Sequence, residues 1–344
     1  MSTTMSIDVT RLMPSAGRGS LAQPIRAREP AAARAVESVG ITVADLGRAV
    51  RFYTEVLSFV EVGTTFSDGP ALAALNDLEE PSVRVARLRL GEELLELTQF
   101  ARPFGRPAPR DARSHDRWFQ HAAIVVSDME QAYARLVAHG ATAISVAPQR
   151  LPDWNPVAGG IEAFYFRDPD GHPLELIHFP PDKGHPRWHR ASGRLFLGID
   201  HTAIVAGDTD ASLALYRDLL GMTVLGRSQN FGPEQERLNG VPGSRVRIIC
   251  LAAESGPKVE LLQYVSPTGG RPFPVHERAN DLVHWETTVR VSDIDAAFDA
   301  IRRAGCSIIS RAISDTRSRL GPARGFLARD PDGHVLRFVG GPVA

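Results

Sequence analysis

Residues 201–225 read HTAIVAGDTDASLALYRDLLGMTVL. The opening is an apolar strand, Asp208 stands where a helix N-cap belongs, and an amphipathic helical pattern follows up to Gly221. The same phrase is written three more times, as VGITVAD from 39, HAAIVVSD from 121 and HWETTVRVSD from 284. A supersecondary unit repeated at this length governs how the whole chain is folded, ahead of any single motif.

Working outward from each copy gives four modules. In the first, spanning 36–100, the helix after Asp45 places Leu46, Val50, Tyr53 and Leu57 on one side, and FVEVGTTF, VRVARLRLG and ELLELTQF read as strands, the last two joined at Gly91-Glu92. The second, 119–179, has Asp128, a helix closed by Gly140, a strand ATAISVAP, and two strands within GIEAFYFRDPDGHPLELIHF. The third, 197–264, continues from residue 221 with strands MTVLGRS, SRVRIICLAA and KVELLQY. The fourth, 282–339, has Asp293, the helix IDAAFDAIRRAG, and strands CSIISRAI, GFLARDPDG and HVLRFVG. Segments 101–118, 180–198 and 265–281, rich in Pro, Gly, Arg and His, read as connections. Asp170-Gly171-His172 and Asp332-Gly333-His334 read as hairpin turns.

Each module is thus strand–helix–strand–strand–strand, and its sheet has one face for the helix and a second apolar face. Pairing modules buries that second face, so the expected fold is α+β: four βαβββ modules paired into two curved-sheet clefts. An open parallel α/β sheet would need a crossover helix after nearly every strand, and three successive strands follow each helix here.

Composition bounds the rest. The 344 residues are 43% apolar and 23% charged with formal net charge -1, ordinary for a globular chain of more than one domain. No basic tract marks a nucleic-acid partner and no apolar run would span a membrane. Cys250 and Cys306 form no disulfide framework or zinc spacing, which fits a reducing, cytoplasmic setting. Residues 1–35 lack the apolar core of a signal peptide and read as a flexible leader. Four modules can form both clefts in one chain, so a monomer suffices, and exposed sheet edges also allow a homodimer.

The fragments at 201–225, VGITVADLGRAVRFYTEVLSF (39–59), FYFRDPDGHPLELIHF (164–179) and FLARDPDGHVLRFV (326–339) resemble the vicinal oxygen chelate superfamily, the glyoxalase / bleomycin-resistance / extradiol-dioxygenase group. The resemblance covers nearly everything after residue 36. It implies metal ligands from two places in each module, one near the start of the first strand and one on the last strand. The last-strand positions are Glu96, Glu175, Glu260 and Arg337. The first-strand positions are Ser38, His121, His201 and either His284 or Glu286: the capping Asp lies seven residues after Ser38, His121, His201 and Glu286, but nine after His284.

Modules two and three keep a His-and-Glu pair each, whereas Ser38 and Arg337 interrupt the pattern in modules one and four. Arg337 cannot ligate and would instead neutralise a carboxylate or clamp an anion. If modules pair one-four and two-three, then His121, Glu175, His201 and Glu260 converge as one metal site. If they pair one-two and three-four, Glu96/His121/Glu175 and His201/Glu260 with His284 or Glu286 are the candidate sets. Two imidazoles and two carboxylates suit Zn, Mn, Ni, Co or Fe. The resemblance then implies a small-molecule substrate with vicinal oxygens, aromatic or not. The ion would stabilise an enediolate as a Lewis acid, and Glu175 or Glu260, or His284 or Glu286 in the other arrangement, would transfer the proton, which is isomerase, epimerase or lyase chemistry. An Fe(II) extradiol-type dioxygenase is the alternative, with His201, His284 and Glu260 as its best ligand set; a metal-free binding or resistance protein is a third reading. Each His and Glu also has a structural reading on a sheet face. His115, Trp118, Trp154, Asn155, Trp188 and His189 are candidates for a cleft rim, with NFGPEQERLNG (230–240) as a lid. Phe164, Tyr165 and Phe166 should alternate between core and cleft.

Overall fold

The computed structural model describes residues 31–318 and 321–340. Module one comprises β1 (Ala33–Thr42), α1 (Leu46–Arg51), β2 (Val60–Asp68), α2 (Pro70–Asn76), β3 (Ser82–Leu90) and β4 (Glu93–Arg102). Module two follows with β5 (Gln120–Val126), α3 (Met129–Ala138), the two-residue strands β6 (Thr142–Ala143) and β7 (Gln149–Arg150), β8 (Glu162–Arg167) and β9 (Pro173–His178). Module three holds β10 (Phe196–Val205), α4 (Thr209–Leu213), β11 (Thr223–Phe231), α5 (Pro233–Asn239), β12 (Arg245–Ala252) and β13 (Lys258–Ser266). Module four holds β14 (Trp285–Val291), α6 (Ile294–Arg303), β15 (Ser314–Ser318), β16 (Gly321–Arg329) and β17 (Val335–Gly340).

The helices start where the sequence says they should. Asp45, Asp128, Asp208 and Asp293 all have extended backbone, and each side chain accepts from an N–H of the first turn. In α3 the Gln131 side chain also donates back to Asp128, and Met129, Ala132 and Leu136 form the buried stripe. Gly140 ends that helix at φ +68°, a conformation that costs glycine little. In modules one and three the helix runs on into a π-helical stretch, Phe52–Val56 and Ala214–Leu219, which modules two and four lack. Modules one and three also share an extra helix, α2 and α5, after the second strand.

The strands form two sheets of order β15-β16-β17-β14-β1-β4-β3-β2 and β11-β12-β13-β10-β5-β9-β8-β6. The first strands pair antiparallel, β1 with β14 and β10 with β5, so module one joins module four and module two joins module three. Consecutive modules instead pack back to back. One apolar core joins Ile41, Tyr53, Leu88 and Leu97 of module one to Ile124, Leu136, Phe166 and Leu176 of module two. A second joins Leu213, Tyr216, Ile249 and Leu261 of module three to Ile294, Ile301, Phe326 and Phe338 of module four. Each such side chain, fully buried, contributes about 1.5–3 kcal/mol.

The Asp-Pro-Asp-Gly-His turns pin these back-to-back pairs. Asp168 accepts from Tyr53 Oη at 3.2 Å and from the backbone N–H groups of Asp170 and His172 at 2.9 Å, and it contacts the His172 ring at 2.8 Å. Asp330 accepts from Tyr216 Oη at 3.1 Å in the same way.

Three expectations change. Residues 31–35, assigned to the leader, include the start of β1, with Ala31 and Ala33 buried; residues 1–30 lie outside the described residues. ATAISVAP keeps only Thr142–Ala143 as strand, because the chain then leaves the sheet, and Ser145 Oγ and Val146 N–H bond Leu238 and Arg237 of module three. CSIISRAI is reduced to an isolated bridge at Ile308, and Ser310 Oγ donates to Leu75 of module one. NFGPEQERLNG folds as the end of β11 followed by the short helix α5, whose Leu238 packs with Phe119, Tyr165 and Val246 of the cleft. Among the described residues no helix is long and apolar enough to cross a membrane.

Candidate metal centre in the cleft of modules two and three

One register rule generates the site in every module. The last-strand position pairs with the residue two steps past the first-strand position: Glu175 with Ala123, Glu260 with Ala203, Glu96 with Gly40 and Arg337 with Thr288. Counting back two gives His121, His201, Ser38 and Glu286. Side chains two apart share a face, so all eight positions look into the clefts. His284 precedes β14 and is not the equivalent of His121; Glu286 is.

In the cleft of modules two and three His121, Glu175 and His201 converge, with Glu260 beside His201. His121 Nε2 is 3.0 Å from Glu175 Oε2, His201 Nε2 is 3.3 Å from the same oxygen, and His201 Nε2 is 3.5 Å from Glu260 Oε2. His121, Glu175 and His201 are buried, with one ligating atom of each within 4.8 Å of the others. Both ring nitrogens of His121 lack a hydrogen bond: its contact with Glu175 is short but out of line. A buried imidazole left so is costly unless something else takes its lone pair. Ligands at about 2.1 Å from a common ion lie about 3.0 Å apart at right angles and about 3.4 Å apart at the tetrahedral angle. His121, Glu175 and His201 therefore fit a divalent ion in both spacing and chemistry.

The buried imidazoles and carboxylates set one another's charge. Burial alone would raise the Glu175 carboxyl, but His121 and His201 outweigh it and lower its pKa to about 2. Burial opposes charge on His201, yet Glu260, Asp200 and Glu175 together raise its pKa to about 10. A protonated ring has no lone pair at that nitrogen, so taking up an ion displaces the proton.

A second layer fixes His201. Asp200 is the extra residue of a β-bulge between Ile199 and His201, and its carboxylate contacts His201 Nδ1 at 3.0 Å. Trp188 Nε1 donates to Asp200 at 3.0 Å and Lys258 Nζ donates to both its oxygens at 2.8 Å. The sequence reading passed over Asp200 and Lys258. The signal was present: a charged residue beside the ligand in an otherwise apolar strand, echoed by Glu37 at the equivalent bulge of β1, where it pairs with Arg290.

Apolar side chains close around the centre. Phe119, Tyr165, Ala203, Val246, Leu262 and Leu238 cluster over the concave face, and the His121 and Tyr165 ring centroids are 4.9 Å apart. Tyr165 faces this cleft while Phe164 and Phe166 enter the inter-module core, the expected alternation. Trp154 rests on Phe231 and Asn155 donates to Asn230, so these two residues lie where module two closes on module three.

The remaining candidates stand elsewhere. Glu96, His284 and Glu286 belong to the cleft of modules one and four together with Arg337, so His284 and Glu286 do not join the His121/His201 centre. The ligand set His201, His284 and Glu260 expected for ring cleavage is not brought together, since its members lie in different sheets.

The model of the Glyoxalase/Bleomycin resistance protein/Dioxygenase superfamily matches residues 35–176 and 198–338. The chain belongs to this superfamily. Each match spans two consecutive modules, in keeping with the traits shared by modules one and three. Among curated proteins, a 2-epi-5-epi-valiolone epimerase of Actinomyces is 36% identical over 151 residues, covering 42% of this chain and 80% of that protein. A lactoylglutathione lyase of Haemophilus influenzae is 25% identical over 146 residues, covering 41% of this chain and 90% of that protein. Glyoxalase I of Zea mays shares the fold at TM-score 0.55 and 17% identity, covering 90% of this chain and 92% of that one. A putative dioxygenase of Bacillus subtilis does so at TM-score 0.54 and 14% identity, covering 90% of this chain and 86% of that one.

Proposed function

We propose that this protein is a metal-dependent enzyme that moves a proton at a carbon beside an oxygen of a small molecule, as an isomerase, epimerase or lyase. The observation that carries this reading is the convergence of His121, Glu175 and His201, with Glu260 beside His201, in a largely apolar cleft. An ion bound there would supply Lewis-acid polarisation of a substrate oxygen.

The rest falls to the chain. Glu175, buried and gripped by two imidazoles, is a fixed anchor that stays ionised. Glu260 is the proton carrier. Its side chain keeps 20% of its surface exposed and its contact with His201 is long, so it has room to swing toward a substrate C–H. It takes the proton and returns it to the same carbon or the neighbouring one. Across the ladder from Glu260, burial pushes the Cys250 thiol well up, so this neighbour stays neutral and does not repel the carboxylate. Asp200 sets the His201 ring with its Nε2 toward the centre. Phe119, Tyr165 and Leu262 keep water from the carbanion-like state. The names of two similar proteins, an epimerase and a lyase, fit this class of reaction.

The test begins with metal analysis of protein purified without added metal. The loaded protein is then incubated in deuterated water with 2-epi-5-epi-valiolone and, separately, with lactoylglutathione. Solvent deuterium entering one of them in a Glu260-dependent manner supports the reading. Stoichiometric iron with oxygen uptake on catechols, or failure to bind any divalent ion, would overturn it.

A further inference from the structure

The cleft of modules one and four has the same register as the metal centre but a different floor. At the four equivalent positions stand Ser38, Glu96, Glu286 and Arg337. The Arg337 guanidinium lies between the two carboxylates, with Nη2 2.6 Å from Glu286 and Nη1 3.6 Å from Glu96. A built-in cation thus stands where the other cleft gathers ligands for an ion. Arg87 holds the other oxygen of Glu96 at 2.6 Å, and His284 holds the other oxygen of Glu286 at 3.0 Å.

This cleft is open. It contains a cavity of about 540 Å³, within the ordinary range for small-molecule sites. Its walls include Val62, Leu72, Leu75, Val83, Val85 and Phe100, and its floor carries Arg87, Glu96, Glu286 and Arg337. Asp68, Asp315 and Arg317 lie exposed at the rim, where water screens them. Behind His284, Glu277 contacts its Nδ1 at 2.6 Å and also accepts from Arg329 at 2.5 Å. Burial opposes charge on His284, but Glu277 and then Glu286 raise its pKa to about 9. The inner set is therefore Arg87, Arg337, Arg329 and His284 against Glu96, Glu286 and Glu277, one positive charge in excess. At 3.6 Å Nη1 of Arg337 is too far from Glu96 for a hydrogen bond, and beside Arg337 the buried Thr288 hydroxyl has no partner.

The geometry points to a second, metal-independent site in this cleft that binds a small monocarboxylate with an apolar body, its carboxylate on the Arg337 guanidinium and its body against the valine, leucine and phenylalanine walls. The single excess charge matches a monoanion better than a phosphate dianion. The planar guanidinium fork matches a carboxylate in shape. The apolar walls give affinity to a ring or short hydrocarbon that acetate lacks.

Calorimetric titration of the full chain with acetate, benzoate, 3-phenylpropionate, 3-phenylpropionamide and inorganic phosphate tests this. Affinity should rise from acetate to 3-phenylpropionate, exceed that for phosphate and the amide, and be unchanged after metal is stripped with a chelator. Arg337→Gln should weaken binding about tenfold or more. Thr65→Trp, on an exposed strand position lining the cavity, should abolish it by filling the space and decides the matter if the arginine variant does not fold. Equal binding of the amide, tighter binding of phosphate, loss of binding on chelation, no effect of either variant, or no carboxylate binding at all would each overturn the inference.

Discussion

Arg337 and Glu175 hold equivalent places on the last strands of modules four and two, each opposite the residue two steps past its module's first-strand position. One reaches an acid partner at 2.6 Å as a cation, the other gathers two imidazoles as an anion. The shared register means that the ligand positions of the two clefts differ in their side chains. Combining Ser38→His, Glu286→His and Arg337→Glu with the native Glu96 should therefore create a second two-His, two-Glu set. Metal content, read by atomic emission, should rise from about one ion per chain to about two. An unchanged ratio in a folded variant would mean that the backbone of the two clefts differs more than their registers do.

Glu175 and Glu260 should fail differently when made neutral. Glu260→Gln should retain the metal but lower kcat by about 10²- to 10⁴-fold, the usual contribution of a positioned proton carrier. Glu175→Gln should first lose metal affinity, because two imidazoles lean on that carboxylate. Metal titration beside steady-state kinetics separates the two, and equal metal loss in both variants would remove the distinction between anchor and carrier.

Asp200 acts through His201. Asp200→Asn keeps the shape but removes the charge that Lys258, Trp188 and His201 share. Metal affinity should drop about 10- to 100-fold, the usual effect of losing such a partner. Isothermal titration with zinc measures it, and Lys258→Met should reproduce part of the loss.

How much of this could be read in advance follows from what each signal encodes. The spacing from the first-strand position to the capping Asp is local, so the positions of His121, His201 and Ser38 were legible, as were the four modules. The choice between His284 and Glu286 needed the pairing of Thr288 with Arg337, a contact between strands. Module pairing was not legible because the apolar faces alone do not distinguish the orders, and the linkers between modules permit either. Asp200 escaped because a bulge is an irregularity of pairing, and a sequence shows only the side chain that results. The short outer strands failed for the opposite reason: ATAISVAP has strand-like residues, but Ser145 spends its hydroxyl on Leu238 across the cleft.

The Asp168 turn should be structural and nothing more. It accepts from the backbone N–H groups of Asp170 and His172, each at 2.9 Å, and from Tyr53 Oη of the preceding module. Asp168→Ala strands these donors in a buried place and should cost about 3–5 kcal/mol. Urea unfolding reads the loss, and metal content of the folded fraction should be unchanged.

His284 should make stability depend on pH in a definite direction. Its folded pKa of about 9 lies above the ordinary 6.5, so the folded state holds the proton more tightly than the unfolded chain. The resulting stabilisation is fully present below pH 6.5 and disappears as pH rises through 9. A gap of this size is worth about 3 kcal/mol at most. His284→Gln removes the cation at every pH, leaving Glu277 to Arg329 and Glu286 to Arg337. Chemical unfolding should therefore find the variant much weaker than the native chain at pH 6, with the difference shrinking toward pH 10. A difference that stays constant across that range would show that His284 is held as a neutral ring, and that its contact with Glu277 is a simple hydrogen bond.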